Sequence, residues 1–129
     1  SVKLDPDAGN SGIQFRSRAT EDGSVAGYQA DVGAGWWGFL YDEHGRGVVA
    51  KPADVQVHEG GWNTYEILAV GDRIQTALNG HRCVDFTDPE PTLRGIIAFQ
   101  LHSSAEPFDV RFKDLRIELN PDAVLETVE

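Results

Sequence analysis

Hydrophobic and polar residues alternate one by one along much of this chain, which is the pattern of β-strands with one buried face. Ile13 and Phe15, for example, alternate with Gln14. Apolar residues at helical spacing are nearly absent. The alternation is clearest in three stretches: "GIQFRS" at 12–17, "GYQADV" at 27–32 and "GIIAFQLH" at 95–102. The pattern therefore predicts an all-β protein.

Turn signals separate the alternating stretches at short intervals. The pair Asn79–Gly80 joins "RIQTAL" to "RCVDF" and is the strongest hairpin signal that a short sequence offers. No helical stretch lies between the strands, which argues against parallel βαβ units. We predict roughly ten antiparallel strands in a two-sheet jelly-roll sandwich. Residues 1–120 are expected to form this single domain, and residues 121–129 a polar C-terminal tail that includes at most a frayed helical turn.

The net charge of the chain limits the classes of molecule that it is expected to bind. With 129 residues it can form one domain with a hydrophobic core. It carries 21 acidic and 11 basic residues, a formal net charge of -10. Because such a surface repels phosphate groups, nucleic acids and anionic membranes are poor partners. Neutral ligands such as sugars, and cations, remain candidates.

Cysteine usage and hydropathy say little about the compartment. Cys83 is the only cysteine, so no intrachain disulfide can form, and we interpret it as a packed thiol in a strand. No stretch approaches the roughly 18 apolar residues of a membrane span. The chain starts directly with the strand-like "SVKLD", and we expect that natural sequence precedes it.

An ordered set of motifs carries a family resemblance. In chain order they are "GNSGIQFRS", "GYQADVG", "WGFLYDE", "WNTYEILAVGDRIQTALNG", "GIIAFQLH" and "VRFKDLRIEL". Together they resemble the 3-keto-disaccharide hydrolase family, also known as domain of unknown function 1080, from about Asn10 to Leu119. The hairpin motif alone is weakly specific, because laminin-G-like and pentraxin-like lectin folds share it, whereas the ordered set is much more specific.

The resemblance implies a concanavalin-like jelly roll that acts on oxidised sugars. Family members are usually periplasmic or extracellular, and some are lipid-anchored, here through a segment upstream of Ser1. They usually carry further residues before "SVKLD", including early strands that this chain lacks. Many also have a glutamate after "GY", where this sequence has Gln29 and, two residues on, Asp31. The identity of a catalytic carboxylate is therefore left open.

The chemistry of a 3-keto sugar defines what a catalytic site would need. Its carbonyl acidifies the hydrogen on C2, so a base can remove that proton and the C1 oxygen substituent can leave. Water then adds back, which gives net hydrolysis. Such a site needs a base near C2, an acid near the leaving oxygen, and a cationic or hydrogen-bonding group at the developing enolate oxygen.

Three residues are the predicted catalytic set, each with an alternative. His102 is the predicted base, since its ordinary pKa of about 6.5 lies near neutrality, or it is a strand-end histidine in solvent. Arg16 would clamp the enolate or a hydroxyl, or pair with Asp31 across strands. Asp31 would hold His102 or Arg16, serve as the acid, or be a structural partner.

The remaining polar row would bind the sugar. Strand alternation predicts that amide side chains line one concave surface and contact hydroxyls. Of the adjacent Trp36 and Trp37, we predict that Trp37 faces this groove with Tyr41, while Trp62 packs in the core. The predicted sugar-binding residues are Asn10, Gln14, Gln29, Trp37, Tyr41 and Gln100.

A metal and a non-catalytic role both stay open. "DPDAGN" and "DEHGRG" place carboxylates in loops without the calcium-loop pattern, and ordinary turn chemistry explains them as well. No cofactor is certain, although a divalent metal ion would be one way to stabilise an enolate. A lectin-like module that binds carbohydrate without chemistry is the alternative function, and a trimmed interaction domain is a third.

Overall fold

The computed structural model describes residues 1–128 and contains eleven β-strands within that range. In chain order these are β1 (Val2–Asp5), β2 (Asn10–Ala19), β3 (Val25–Gly33), β4 (Leu40–Glu43), β5 (Gly47–Ala50), β6 (Trp62–Asn63), β7 (Tyr65–Val70), β8 (Arg73–Leu78), β9 (His81–Thr87), β10 (Ile96–Leu101) and β11 (Asp109–Phe112).

The strands form a five-stranded sheet of order β10-β2-β3-β4-β5 and two three-stranded sheets of order β11-β1-β6 and β7-β8-β9. Every pairing is antiparallel. Only Thr64 separates β6 from β7, so the two smaller sheets adjoin along one extended segment. The predicted all-β antiparallel architecture, consistent with a jelly-roll sandwich, is confirmed.

The hydrophobic core lies between the five-stranded sheet and the two smaller sheets. All three sheets contribute buried side chains. The five-stranded sheet contributes Phe15, Tyr28, Val32 and Leu40, the sheet of β11, β1 and β6 contributes Val2 and Leu4, and the sheet of β7, β8 and β9 contributes Ile74, Leu78 and Val84. Cys83 belongs to the same cluster, and burial raises the pKa of its thiol to about 11. It is therefore the packed thiol that the sequence predicts.

An ion pair joins the buried Asp88 to Arg46, whose side chain is 39% exposed. Arg46 binds Asp88 through two hydrogen bonds of 2.9 and 2.7 Å, and the Tyr28 hydroxyl also donates to this carboxylate. The Glu90 backbone N–H adds a further bond of 2.8 Å. Asp88 is 1% exposed, so its charge depends on these partners.

The C-terminal residues pack on the outer face of β7 and β8. Leu125 is buried against Leu68 and Ala77. The Glu66 carboxylate accepts hydrogen bonds from the backbone N–H groups of Glu126 and Thr127, at 2.6 and 2.9 Å. No helical turn is present among residues 121–128.

Part of the sandwich exposes apolar side chains to solvent. Two predicted strand segments, "ADVQVH" at 53–58 and "DLRIEL" at 114–119, are not strands within residues 1–128, although the Ala53 N–H donates to the Cys83 carbonyl at 2.7 Å. Apolar side chains are exposed along β10 and after β11: Ile96, Ile97, Phe99, Leu101, Leu115, Ile117 and Leu119. Within the described residues, no helix is long and apolar enough to cross a membrane.

Candidate functional site

The outer surface of the five-stranded sheet carries two rows of polar residues. In one row Ala98, Gln14, Gln29 and Tyr41 are register partners across β10, β2, β3 and β4. In the next row Gln100, Gly12 and Asp31 are partners across β10, β2 and β3. Register partners in antiparallel strands point to the same side of a sheet. We call these two rows the polar face.

Gln29 connects the two rows. Its Nε2 donates to Asp31 Oδ1 at 2.7 Å and to Gln100 Oε1 at 3.0 Å. The side chain crosses β2 directly above Gly12, where a Cβ atom would lie 2.5 Å from Cγ and Cδ of Gln29. Gly12 therefore makes room for the Asp31–Gln29–Gln100 hydrogen-bond chain.

Asp31 lies buried on the polar face and has no cationic partner among residues 1–128. The residue is 4% exposed, and burial raises the pKa of its carboxyl to about 7. The Gln29 hydrogen bond lowers this pKa and the nearby charge of Glu43 raises it, each less than burial does. A carboxyl with a pKa near 7 can both accept and release a proton at neutral pH.

The backbone of Asp31 is fixed on both sides. Its N–H donates to the Phe39 carbonyl at 3.0 Å. Its carbonyl accepts from the Tyr65 hydroxyl at 3.1 Å, and the same hydroxyl accepts from the Gly38 N–H at 3.1 Å. Burial raises the pKa of Tyr65 well above its ordinary value, so this hydroxyl keeps its proton. The position of Asp31 is therefore set by the core side of the sheet.

Two amide atoms on the polar face lack a hydrogen-bond partner among residues 1–128. Gln29 Oε1 is buried and accepts no hydrogen bond from the described residues. Gln100 Nε2 donates none among residues 1–128, while its Oε1 accepts from Gln29. Gln14 is already engaged, since its Nε2 donates to the Val25 carbonyl at 2.9 Å. Gln100 is partly exposed, so its Nε2 can donate to a sugar hydroxyl.

The aromatic neighbour of the polar face is Trp36. Its ring meets that of Tyr41 edge-on at 6.1 Å between centroids, and the residue is 40% exposed. The prediction that Trp37 faces the groove is wrong, because Trp37 is 5% exposed in the core and donates to Asp7 Oδ1 at 2.9 Å. Strand alternation does not apply there, since β4 begins only at Leu40.

Arg16 does not share the polar face, contrary to the expectation from alternation. The register of β2 against β3 shifts between Phe15 and Arg18, and Arg16 has a φ of 46° at this bulge. Its guanidinium donates to the carbonyls of Ala69 and Gly71, at 3.1 and 2.6 Å. Among the described residues it forms no ion pair with Asp31. Arg16 thus stabilises the β7–β8 turn.

His102 and Asn10 lie at the edge of the polar face. The His102 backbone N–H donates to the Asn10 carbonyl at 3.4 Å, one residue beyond the end of β10. The imidazole is exposed, and its Nδ1 lies 2.6 Å from the Ser103 carbonyl. No contact between His102 and Asp31 occurs in the described part of the chain. The structure therefore brings together Asp31 and the glutamines, and leaves His102 at the edge.

Three residues that matter for this arrangement were not among the predicted site residues, although Trp36 was considered beside Trp37. Gly12 had a usable signal, because a glycine inside a strand often marks a close approach of another group. Trp36 required knowledge that residues 34–39 form a turn. Tyr65 had no local signal, because its role depends on a contact with Asp31 in another sheet.

A metal site is not built from the described residues. Residues 1–128 contain no group of three or more His, Cys, Asp or Glu side chains that could hold an ion. The loop carboxylates are engaged elsewhere: Asp7 accepts from Trp37, and Asp42 accepts from Arg46 at 2.7 Å. Turn and core contacts account for both.

A family comparison gives this polar face its context. Residues 1–118 match the model of the 3-keto-alpha-glucoside-1,2-lyase-like domain. The chain belongs to this family. The match spans every strand of the sandwich and confirms the resemblance seen in the motifs. Membership in the 3-keto-alpha-glucoside-1,2-lyase-like family supports a carbohydrate-related function. No curated protein matches the chain.

Proposed function

We propose that the protein cleaves 3-keto-glycosides on the polar face, with Asp31 as the group that moves the C2 proton. The observation that carries the proposal is the Asp31–Gln29–Gln100 chain, in which a buried carboxyl has a pKa of about 7. Buried carboxyls with pKa values near neutrality are common among catalytic acids and bases. The family membership supports the choice of a carbohydrate substrate.

The reaction balances without an oxidant or reductant. The deprotonated Asp31 removes the hydrogen on C2, and the electron pair forms an enolate with the C3 oxygen. Collapse of the enolate breaks the bond between C1 and the glycosidic oxygen, and the departing oxygen takes up a proton. Addition of water to the C1–C2 double bond, with OH on C1 and H on C2, completes hydrolysis.

The neighbouring side chains have roles that fit their contacts and exposure. Gln100 Nε2 would donate to the enolate oxygen, which partly replaces the cation expected from Arg16. Gln29 would hold Asp31 and Gln100 in place through its two hydrogen bonds, and the exposed ring of Trp36 would stack on the apolar face of the sugar. His102, at the edge, would protonate the leaving oxygen or serve a group of the aglycone.

Turnover of a 3-keto-glucoside tests the proposal. Asp31→Asn should lower the rate by at least about a hundredfold, the usual contribution of a general base. Asp85→Asn is the matched control, because Asp85 is an exposed carboxylate that pairs with Arg73 away from the polar face. Full activity of Asp31→Asn would contradict the proposed role, and no turnover by the wild type would contradict the activity.

A lectin-like role is the second candidate, since the Gln100 amide and Trp36 suit binding without chemistry. Calorimetric titration with unoxidised glucosides separates the two. A lectin would bind them as well as the 3-keto forms and convert neither. The enzyme would favour the 3-keto form, and Asp31→Asn would retain binding while losing turnover. As part of the enzyme proposal we place the protein in the periplasm or outside the cell.

A further inference from the structure

The ladder between β3 and β4 opens at Asp31. The last register partners of these two strands are Ala30 and Leu40. In a regular antiparallel ladder Asp31 and Phe39 would come next and would exchange two backbone hydrogen bonds. Only one of these bonds forms, from the Asp31 N–H to the Phe39 carbonyl at 3.0 Å, because the Phe39 N–H donates to the Trp36 carbonyl at 3.1 Å instead. The Asp31 carbonyl is therefore left without its expected backbone partner.

The hydroxyl of Tyr65 fills the gap in this ladder. It donates to the Asp31 carbonyl and accepts from the Gly38 N–H, at 3.1 Å in each case. Tyr65 belongs to β7, in another sheet, and its side chain packs against the hydrophobic core. The hydroxyl thus holds apart a backbone donor and a backbone acceptor that could otherwise bond to each other, since each of them requires a partner when it is removed from water.

The turn that Tyr65 binds carries the exposed aromatic ring next to the polar face. Residues 34–39 form this turn, and the Trp36 ring contacts those of Phe39 and Tyr41 edge-on, with centroids 5.5 and 6.1 Å apart. A movement of the turn relative to β3 would therefore change the separation between the Trp36 ring and the Asp31 carboxyl. The two hydrogen bonds of the Tyr65 hydroxyl are part of what fixes this separation.

We propose that Tyr65 is a positioning residue that sets the width of the sugar site between the Asp31 carboxyl and the Trp36 ring. This role rests on the proposed function, in which Asp31 moves the C2 proton and Trp36 stacks on the sugar. Without the hydroxyl, the Gly38 N–H and the Asp31 carbonyl bond directly, and the turn moves towards β3. The site then becomes too narrow for a sugar ring in its productive position.

Loss of the hydroxyl should affect sugar binding more than proton transfer. Asp31 is held from the other side of β3, since it pairs with Gly12 of β2 and accepts from Gln29 Nε2 at 2.7 Å. Neither contact involves Tyr65 or the turn. The carboxyl therefore keeps its place when the hydroxyl is removed, whereas the ring of Trp36 moves. Loss of an interaction that contributes to substrate binding and not to the chemical step raises KM and leaves kcat unchanged.

Steady-state kinetics on a 3-keto-glucoside test the effect on KM. Tyr65→Phe should raise KM about tenfold and change kcat by less than about twofold. Tyr28→Phe is the matched control, because it removes another interior tyrosine hydroxyl, which donates to Asp88 on the core side of β3, and it should leave KM and kcat unchanged. In a Trp36→Ala background, Tyr65→Phe should raise KM no further. An unchanged KM, a lower kcat at unchanged KM, or additive effects of the two substitutions would overturn the proposal.

NMR of the ligand-free protein tests the movement of the turn without any turnover. The indole N–H signal of Trp36 should shift in Tyr65→Phe and stay in place in Tyr28→Phe, with the Trp62 signal as internal reference. A Trp36 signal that does not shift in Tyr65→Phe would overturn the proposal even if the wild type is active. A shifted signal in a protein that converts no 3-keto-glucoside would support the spacing role and contradict only the proposed function. The dissociation constant for an unoxidised glucoside would then replace KM in the same comparison of variants.

Discussion

Two carboxylates are almost completely buried in this sandwich, and their surroundings shift their pKa values in opposite directions. Asp88, at the end of the core, is bound by Arg46, Tyr28 and a backbone N–H, which hold its pKa well below the ordinary value. Asp31, on the polar face, is bound by one neutral amide, and burial raises its pKa to about 7. The two residues are similarly little exposed, but hydrogen bonds from Arg46 dominate at Asp88, which stays an anion, whereas desolvation dominates at Asp31, which can exchange a proton near neutral pH.

The difference suggests a division of tasks. The charge of Asp88 is matched by a bidentate arginine, so this region joins the five-stranded sheet to the loop after β9. The charge of Asp31 is not matched, so the polar face holds a group whose protonation changes near neutral pH. A structural ion pair stabilises the fold because each of its charges has partners. A proton-transfer site instead needs a titratable group without a full set of partners.

Removal of the cation should affect the Asp88 region most strongly. Arg46→Ala removes the main partner of the Asp88 carboxylate, but the Arg46 side chain is 39% exposed and Tyr28 and Glu90 still bind Asp88. The free energy of unfolding should therefore fall by about 2–4 kcal/mol at pH 7, less than for a fully buried pair. Urea denaturation measures the change. Arg73→Ala, which breaks the exposed pair with Asp85, should cost less than about 1 kcal/mol. Equal losses in the two variants would contradict the contrast between buried and exposed pairs.

Neutralisation of Asp31 should raise the free energy of unfolding, whereas Arg46→Ala lowers it. Because the pKa of Asp31 is higher in the folded chain than in the unfolded one, the folded state binds more protons between about pH 4 and 7, and stability is lost as pH rises through this window. Asp31→Asn should therefore raise the free energy of unfolding at pH 8, by about 2–4 kcal/mol.

The pH dependence is the control for Asp31→Asn. At about pH 4 the wild-type carboxyl is protonated in the folded chain, so the variant should gain little there. A gain of the same size at both pH values would mean that the effect comes from packing and not from proton binding. A loss at pH 8 would contradict the raised pKa.

Gly12→Ala should disturb the polar face at its centre. The added Cβ would meet the Gln29 side chain, which must leave its position above β2. Overpacking of this kind costs about 1–3 kcal/mol, and loss of the Gln29 hydrogen bond should raise the pKa of Asp31 further. Carbon-detected NMR titration of the Asp31 carboxyl measures the shift.

Gly61→Ala is the matched control for Gly12→Ala. A Cβ there would lie 3.4 Å from the His58 Cβ, an ordinary contact, and far in sequence from the polar face. It should leave the pKa of Asp31 unchanged. An unshifted Asp31 in Gly12→Ala would show that Gln29 keeps its bond by another path.

The sequence predicted the architecture and part of the candidate site. Period-two alternation and the Asn79–Gly80 turn gave the antiparallel sandwich, because both signals are local. Alternation also placed Gln14, Gln29, Asp31 and Gln100 on one surface. The same rule failed at Arg16, where a bulge reverses alternation without a glycine or proline to mark it.

The contacts between sheets could not be predicted. Arg16 binds carbonyls more than fifty residues away, and Asp88 depends on Arg46 across the core. The raised pKa of Asp31 follows from burial on a surface that alternation predicts to be exposed to a groove. Such properties depend on the packing of residues that are far apart in sequence, and local sequence patterns do not show that packing. The roles assigned to His102, Asn10 and Tyr41 stay predictions.

The smallest predicted effect concerns the third cause of the Asp31 shift. Glu43 raises the pKa of Asp31 through its charge, and less than burial does. Glu43→Gln should therefore lower the pKa of Asp31 by less than about one unit, since a partly exposed charge is screened by solvent. The same NMR titration measures it, and Glu59→Gln, an exposed loop residue, should produce no shift. If the pKa of Asp31 fell to the ordinary value of aspartate, the charge of Glu43 and not burial would be what holds this pKa near 7. The pKa difference between Asp31 and Asp88 would then come only from the charged groups around each carboxyl.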